Sequence, residues 1–192
     1  MKIMSFDVSS SVIGWATFNI DKKNNIKLID SGFYKPSKTG HLFENLKSVK
    51  ENILDLLEEH QPAKIAIEDI AQFMPKISSA NTIIKLALYN RIVGLTAFEY
   101  LNEIPALYSV MAIRHGLKLT KELPKKEEMP ELVETLLGVT LPRQYKKTGA
   151  LRPELYDEAD AIACGLFCCY KLTNKLEDMK RKRKENDSTR SV

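Results

Sequence analysis

The sequence predicts an α/β domain whose sheet starts as an antiparallel meander and continues in parallel strands. Three observations carry this reading. Residues 2–35 hold three strand-like runs separated by short polar turns. A helical apolar period over residues 41–60 leads into a short continuous apolar run at 64–67, the pattern of a crossover into a strand covered on both faces. Acids close both strands of interest: Asp7 ends the first, and Glu68 ends the one after the crossover.

Lys2-Ile3-Met4-Ser5-Phe6 is the first strand, Ser9-Ser10-Ser11 a tight polar turn, and residues 12–20 the second strand pairing back on it. Residues 26–34 complete the meander through the turn Asp21-Lys22-Lys23-Asn24-Asn25. An acid where a strand runs out leaves the packed sheet and faces the groove above it. The serine turn offers hydroxyls and backbone N–H groups to an anion or to metal-bound water. Alone, Asp7 reads equally well as a solvated turn residue; its weight comes from the other acids. In residues 41–60, Leu42, Phe43, Leu46, Val49, Ile53, Leu56 and Leu57 recur at helical spacing, and Pro62 closes the helix. The crossover that follows can set strand 64–67 parallel to the first, which would make Asp7 and Glu68 neighbours at one sheet edge.

Phe73-Met74-Pro75-Lys76 reads as a loop with an exposed aromatic and a cation, and Ser78 or Ser79 as the cap of a helix over residues 81–102. Ile83, Ile84, Leu86, Leu88, Ile92, Val93, Leu95, Phe98, Tyr100 and Leu101 cover more than the ~100° stripe of a surface helix. That width predicts packing on the sheet and on a second subunit. Residues 105–110 read as another strand, 111–117 as a turn of helix with Arg114 and His115, and 129–137 as a helix. His115 reads as a surface residue near bound phosphate. Residues 118–128 form a charged, Pro-broken shoulder. Residues 140–153, with Arg143, Lys146, Lys147 and Arg152, read as a flexible loop, either solvated or gripping a phosphate backbone. The last helix runs from Pro153 or Glu154 to about Leu172. Its Asp157 and Asp160 are three apart, which puts them on one face with Cβ atoms roughly 5–6 Å apart. The helix dipole accounts for one acid in a first turn better than for two.

Length fits a single domain over residues 1–173, followed by a basic tail at 174–192 that carries Lys180-Arg181-Lys182-Arg183-Lys184. The tail is expected to be disordered and to add nonspecific DNA affinity, with a nuclear import signal as the competing reading. No run of about 18 apolar residues spans a membrane, and the N-terminus enters a strand instead of a signal peptide. A cytoplasmic location is expected, or the nucleus if the tail is an import signal. Cys164, Cys168 and Cys169 are odd in number and crowd one helix, so they read as core residues in a reducing compartment, not as a disulfide framework or zinc ligands. A net charge of +4 is compatible with nucleic acid, and the cations concentrate at 114–126, 143–152 and 180–184.

Four carboxylates without a paired His or Cys cluster suit a hard divalent cation, Mg²⁺ with Mn²⁺ able to substitute. Two such ions about 3.5–4 Å apart can activate a water on one side of a phosphodiester and stabilise the leaving oxygen on the other. The expected reaction is metal-dependent phosphodiester hydrolysis, with no small-molecule cofactor.

On three stretches the chain resembles the RuvC-type Holliday junction resolvases of the RNase H-like superfamily. They are Phe6-Asp7-Val8-Ser9-Ser10-Ser11-Val12-Ile13-Gly14-Trp15-Ala16, Ile65-Ala66-Ile67-Glu68 and Asp157-Glu158-Ala159-Asp160-Ala161-Ile162-Ala163, in that order. The resemblance covers most of residues 1–172. It implies an RNase H-like fold with a mixed five-stranded sheet, an antiparallel three-stranded meander plus two parallel strands, flanked by α-helices. It further implies a homodimer formed through the helix near 81–102, and symmetric nicking of a four-way DNA junction. Mg²⁺ or Mn²⁺, two ions per site, would be held by Asp7, Glu68, Asp157 and Asp160. In this reading Asp7 and Asp160 hold metals, Glu68 positions a metal-bound water and Asp157 completes the cluster. Phe73 falls in the segment whose aromatic stacks on unpaired bases in the family, and Lys76, Arg114, Lys121, Lys125, Lys126, Arg143, Lys146 and Lys147 are the expected phosphate contacts. The 140–153 stretch is longer and more basic than the family's usual connection, and the basic tail is additional, which leaves cutting of flaps or forks open. The alternatives are an RNA/DNA-hybrid nuclease that shares the acids but not the dimer, and a non-catalytic junction-binding protein. A kinase or ATPase of the actin-like fold would need a second half that this chain lacks.

Overall fold

The computed structural model describes residues 1–70, 79–143, 145–149 and 151–178. In chain order the elements are β1 (Lys2–Val8), β2 (Ile13–Ile20), β3 (Ile26–Tyr34), α1 (Leu42–His60), β4 (Lys64–Asp69) and α2 (Ala80–Leu101). They continue with β5 (Ala106–Ser109), α3 (Val110–Leu117), a 3-10 turn at Lys126–Glu128, α4 (Met129–Leu137) and α5 (Glu154–Leu172). Phe73 and Lys76 lie outside the described residues, as does the tail from residue 179 onward.

The strands form one sheet in the order β3-β2-β1-β4-β5, antiparallel through β1, β2 and β3 and parallel through β1, β4 and β5. This is the mixed five-stranded sheet expected from the sequence. The α1 crossover works because the helix is well bounded. His41 caps it, its side chain accepting from the backbone N–H of Phe43 while Glu44 reaches back to the His41 N–H, and Gln61 turns left-handed at φ 49° before Pro62. Ser79 caps α2 by accepting from the Thr82 N–H at 3.2 Å, and Ser109 does the same for α3 from Ala112.

Helices cover both faces. On one, Met4, Phe6 and Val8 of β1 pack with Val49, Ile53 and Leu57 of α1 and Val93 and Ala97 of α2. On the other, Ile3, Ala16 and Phe18 pack with Ile113 of α3, Val133 of α4 and Ile162 and Leu166 of α5. Side chains alternate across a strand, so Ser5 and Asp7 share the face of Ile3, which α5 covers. Ser5 is fully buried there, and its Oγ donates to the carbonyl of Ala161 at 2.7 Å. Gly165 lets α5 lie this close: a Cβ at that position would stand 2.4 Å from the Ser5 Oγ and 2.5 Å from the Phe18 ring. Cys164, Cys168 and Cys169 are unpaired and buried in the same core.

Two segments flank α5. In the 140–153 excursion, Leu141 is buried, Tyr145 and Leu151 form an antiparallel bridge, and Gly149 turns the chain at φ 81°. Arg143 and Glu134 pin its base through an ion pair that charge composition alone does not reveal. Beyond α5, residues 175–178 form a helical turn and Leu176 packs against the α5-side core.

Candidate active site

The last paired positions between β1 and β4 are Phe6 and Ile67. Asp7 and Glu68 follow in the same parallel register, and alternation points both toward α5. The buried Asn90 of α2 donates its amide N–H to the Glu68 carbonyl at 2.9 Å and fixes the end of β4. From the other side α5 presents Asp157 and Asp160 on one face, as the spacing predicts. All four acids line one cleft of about 240 Å³, together with Asp69, Asn90, Arg114 and Lys126. The sequence-predicted carboxylates are therefore brought together by three elements.

Two cations balance them. Lys126 Nζ is 2.7 Å from Asp157 Oδ1 and 3.6 Å from Asp160 Oδ2. Arg114 Nη2 stands 4.0 Å from Asp160 Oδ1. Compensation is incomplete. Burial, reinforced by repulsion from Asp160, pushes the Asp7 carboxyl from 3.8 to about 8. Burial also raises Asp160 to about 6, against the pull of Lys126 and Arg114. Glu68 is displaced well upward by burial and then by the charges of Asp7 and Asp160. Burial alone would lower Lys126, but its hydrogen bond to Asp157 and the surrounding carboxylates raise it. A cluster of acids so short of positive charge suits an added cation, and the all-oxygen donor set suits a hard divalent one.

The expected phosphate contacts divide. Lys121, Lys125, Lys146 and Lys147 are exposed. Arg143 is committed elsewhere: its guanidinium forks onto Glu134 at 2.6 and 2.8 Å and also donates to the Leu141 carbonyl. Lys126 and Arg114 face the carboxylates. His115 is exposed on α3, while Ser9 lines the cleft and its hydroxyl closes its own turn through Val12. Sequence reasoning missed Asn90, hidden in a helix read for its apolar residues. It also missed the pairing of Lys126 with the acids, which no local pattern encodes.

Residues 3–166 match the family model described as Crossover junction endodeoxyribonuclease RuvC. A curated relative of that name from Fusobacterium nucleatum is 25% identical over 176 residues, spanning 92% of this chain and 84% of the relative. Among solved structures, Thermus thermophilus RuvC in complex with a Holliday junction substrate matches at TM-score 0.67 and 20% identity, covering 90% of this chain and 96% of that one. The yeast mitochondrial Holliday junction resolvase Ydc2 matches at TM-score 0.60 and 10% identity, covering 93% and 83%. Sheet order, the strand-end acids and the paired aspartates of α5 thus lie within the matched span, and the chain belongs to the RuvC family of crossover junction endodeoxyribonucleases.

Proposed function

We propose that this protein is a structure-selective endonuclease that resolves four-way DNA junctions by metal-dependent phosphodiester hydrolysis. The observation that carries this reading is the meeting of Asp7, Glu68, Asp157 and Asp160 in one cleft. Mg²⁺ or Mn²⁺, two ions per site, would be held by these four carboxylates and would supply Lewis acidity at the phosphodiester and a water of lowered pKa. The chain's own residues set the geometry. Asn90 fixes the carbonyl of Glu68, Ser5 ties β1 to α5 one residue beyond Asp160, and Arg114 adds positive charge at the cleft wall. Lys121, Lys125, Lys146 and Lys147 would track the DNA backbone.

A homodimer belongs to the same proposal. On α2, Tyr89, Val93 and Ala97 are buried, whereas Ile84, Leu88, Leu95 and Phe98 are 36% to 58% exposed. These four lie at spacings of four, seven and three residues, one stripe along the helix. A two-fold pair of clefts suits paired cuts in a nearly two-fold substrate. The domain is proposed to include residues 1–178, with 179–192 as a basic tail. Three unpaired, buried cysteines support a reducing, cytoplasmic setting.

The test is cleavage of a synthetic four-way junction in Mg²⁺ by wild type and Asp7→Asn, with linear duplex and RNA/DNA hybrid as controls. Paired symmetric nicks confined to the junction, reduced more than about 100-fold in the variant while binding persists, are the expected result; that loss exceeds what weakening an outer partner of a metal ligand typically causes. Cutting of the hybrid would move the protein to the hybrid nucleases. Binding without cutting would leave a junction-binding protein.

A further inference from the structure

Lys126 lies where a divalent cation is expected. Its ammonium bonds Asp157 at 2.7 Å, approaches Asp160 at 3.6 Å and shares their cleft with Asp7 and Glu68. Among the described residues, no three carboxylates are gathered closely enough to hold an ion as they stand. An ammonium has three donors and no acceptor, so it can serve several carboxylates at once without a metal's strict geometry.

The attachment of Lys126 suits a removable group. Its side chain is 47% exposed, unlike those of Asp157 at 16% and Asp160 at 7%. It projects from a three-residue 3-10 turn closed by the Lys125 N–H to Glu128 bond, and the core begins only at Met129, which is 1% exposed. The side chain can therefore swing toward solvent without opening the core. Lys121 and Lys125, on the same segment, are exposed.

We infer that Lys126 is a positioning residue that stands in for the metal: it holds the carboxylates together in the metal-free protein and is displaced outward when a divalent cation binds. Metal loading and release of the 121–126 segment toward the DNA backbone are then one event. The inference rests on reading the cleft as a metal site. No covalent bond is made or broken, and the exchange is of one cation for another.

The test uses the full chain without DNA and Ca²⁺ as the probe. Calorimetric titration should show Lys126→Gln binding Ca²⁺ about tenfold more tightly than wild type, the effect of removing one charge-assisted competitor. In chelator the same variant should melt about 2–4 °C lower, because its acids have lost their counter-ion. Equal or weaker Ca²⁺ binding by the variant overturns the displacement. Absence of Ca²⁺ binding in the wild type overturns the metal reading, and the displacement with it. Hydrogen exchange on the wild type needs no variant to fold: amides of residues 121–128 should exchange faster when Ca²⁺ is added, and unchanged or slower exchange overturns the inference.

Discussion

Gly14 of β2 and Asp157 of α5 are in backbone contact: a Cβ on Gly14 would stand 2.1 Å from the Asp157 carbonyl oxygen and 2.6 Å from its carbonyl carbon. The obstacle is main chain in a helix, which cannot rotate aside. Gly14→Ala must therefore lift the first turn of α5, moving Asp157 and, one turn later, Asp160. Overpacking of this kind costs about 1–3 kcal/mol. The larger effect is on chemistry, because a displacement near 1 Å at a reacting centre can cost on the order of 10²-fold in rate. Junction cleavage by Gly14→Ala is expected to fall by about that factor, with junction binding retained. Cleavage at the wild-type rate would show that this contact does not set the aspartates.

The metal-free protein should lose stability as pH rises from about 4 to about 8. Asp7 is held up at about 8 and Asp160 at about 6, each from an ordinary 3.8. Between those limits the folded protein keeps protons that the unfolded chain has already released. The favourable contribution is therefore fully present below the unfolded value and is lost as pH climbs through 6 and then 8. Urea midpoints in chelator should fall across this window, and Asp7→Asn should flatten the upper part of the slope. Apparent Ca²⁺ affinity should rise over the same range, since the ion competes with those protons. A wild-type slope unchanged by Asp7→Asn would remove Asp7 from this account.

Much of this site is legible in the sequence because it depends on short-range periodicities. A strand's alternation of two fixes which face Asp7 takes once Ile3 and Phe6 are known, and the three-residue step from Asp157 to Asp160 fixes a shared helix face. The crossover rule then brings Glu68 beside Asp7. Lys126 and Arg143 resist the same treatment. Both lie in charged stretches whose composition says only that they are polar, and their partners are chosen when α4 and α5 pack. Arg143 meets a carboxylate nine residues away and Lys126 one 31 residues away. Neither separation is a helical or strand repeat. The 140–153 excursion is opaque for the same reason, as its base is held by that Arg143–Glu134 fork.

Paired cutting should depend on α2. Leu95 and Phe98 are 48% and 41% exposed on the helix face away from the sheet. Replacing both with Glu places two charges on each side of the proposed two-fold contact, a like-charge arrangement that opposes association. Light scattering should show a monomer at micromolar concentration, where the wild type is expected to be a dimer. The variant should still fold, because neither side chain belongs to either core. On a junction it should nick single strands without coupling the second cut. A monomeric wild type would place the dimer contact elsewhere or remove it.

Lys146 and Lys147 should act on DNA through charge alone, in contrast to Arg143. Both lysines are exposed at the turn of the 140–153 excursion. Neutralising both should lower the slope of log affinity against log salt by roughly 0.9 for each phosphate that is no longer neutralised, and by the same amount for any junction sequence. Arg143→Gln should behave differently. Its guanidinium is already occupied by Glu134, at 28% and 15% side-chain exposure, so the salt slope should hold. Stability should instead fall by about 1 kcal/mol, the upper part of the range for a partly screened ion pair. The excursion would lose its pin at Glu134. Equal slope changes in the two variants would mean that Arg143 leaves Glu134 for a phosphate when DNA binds.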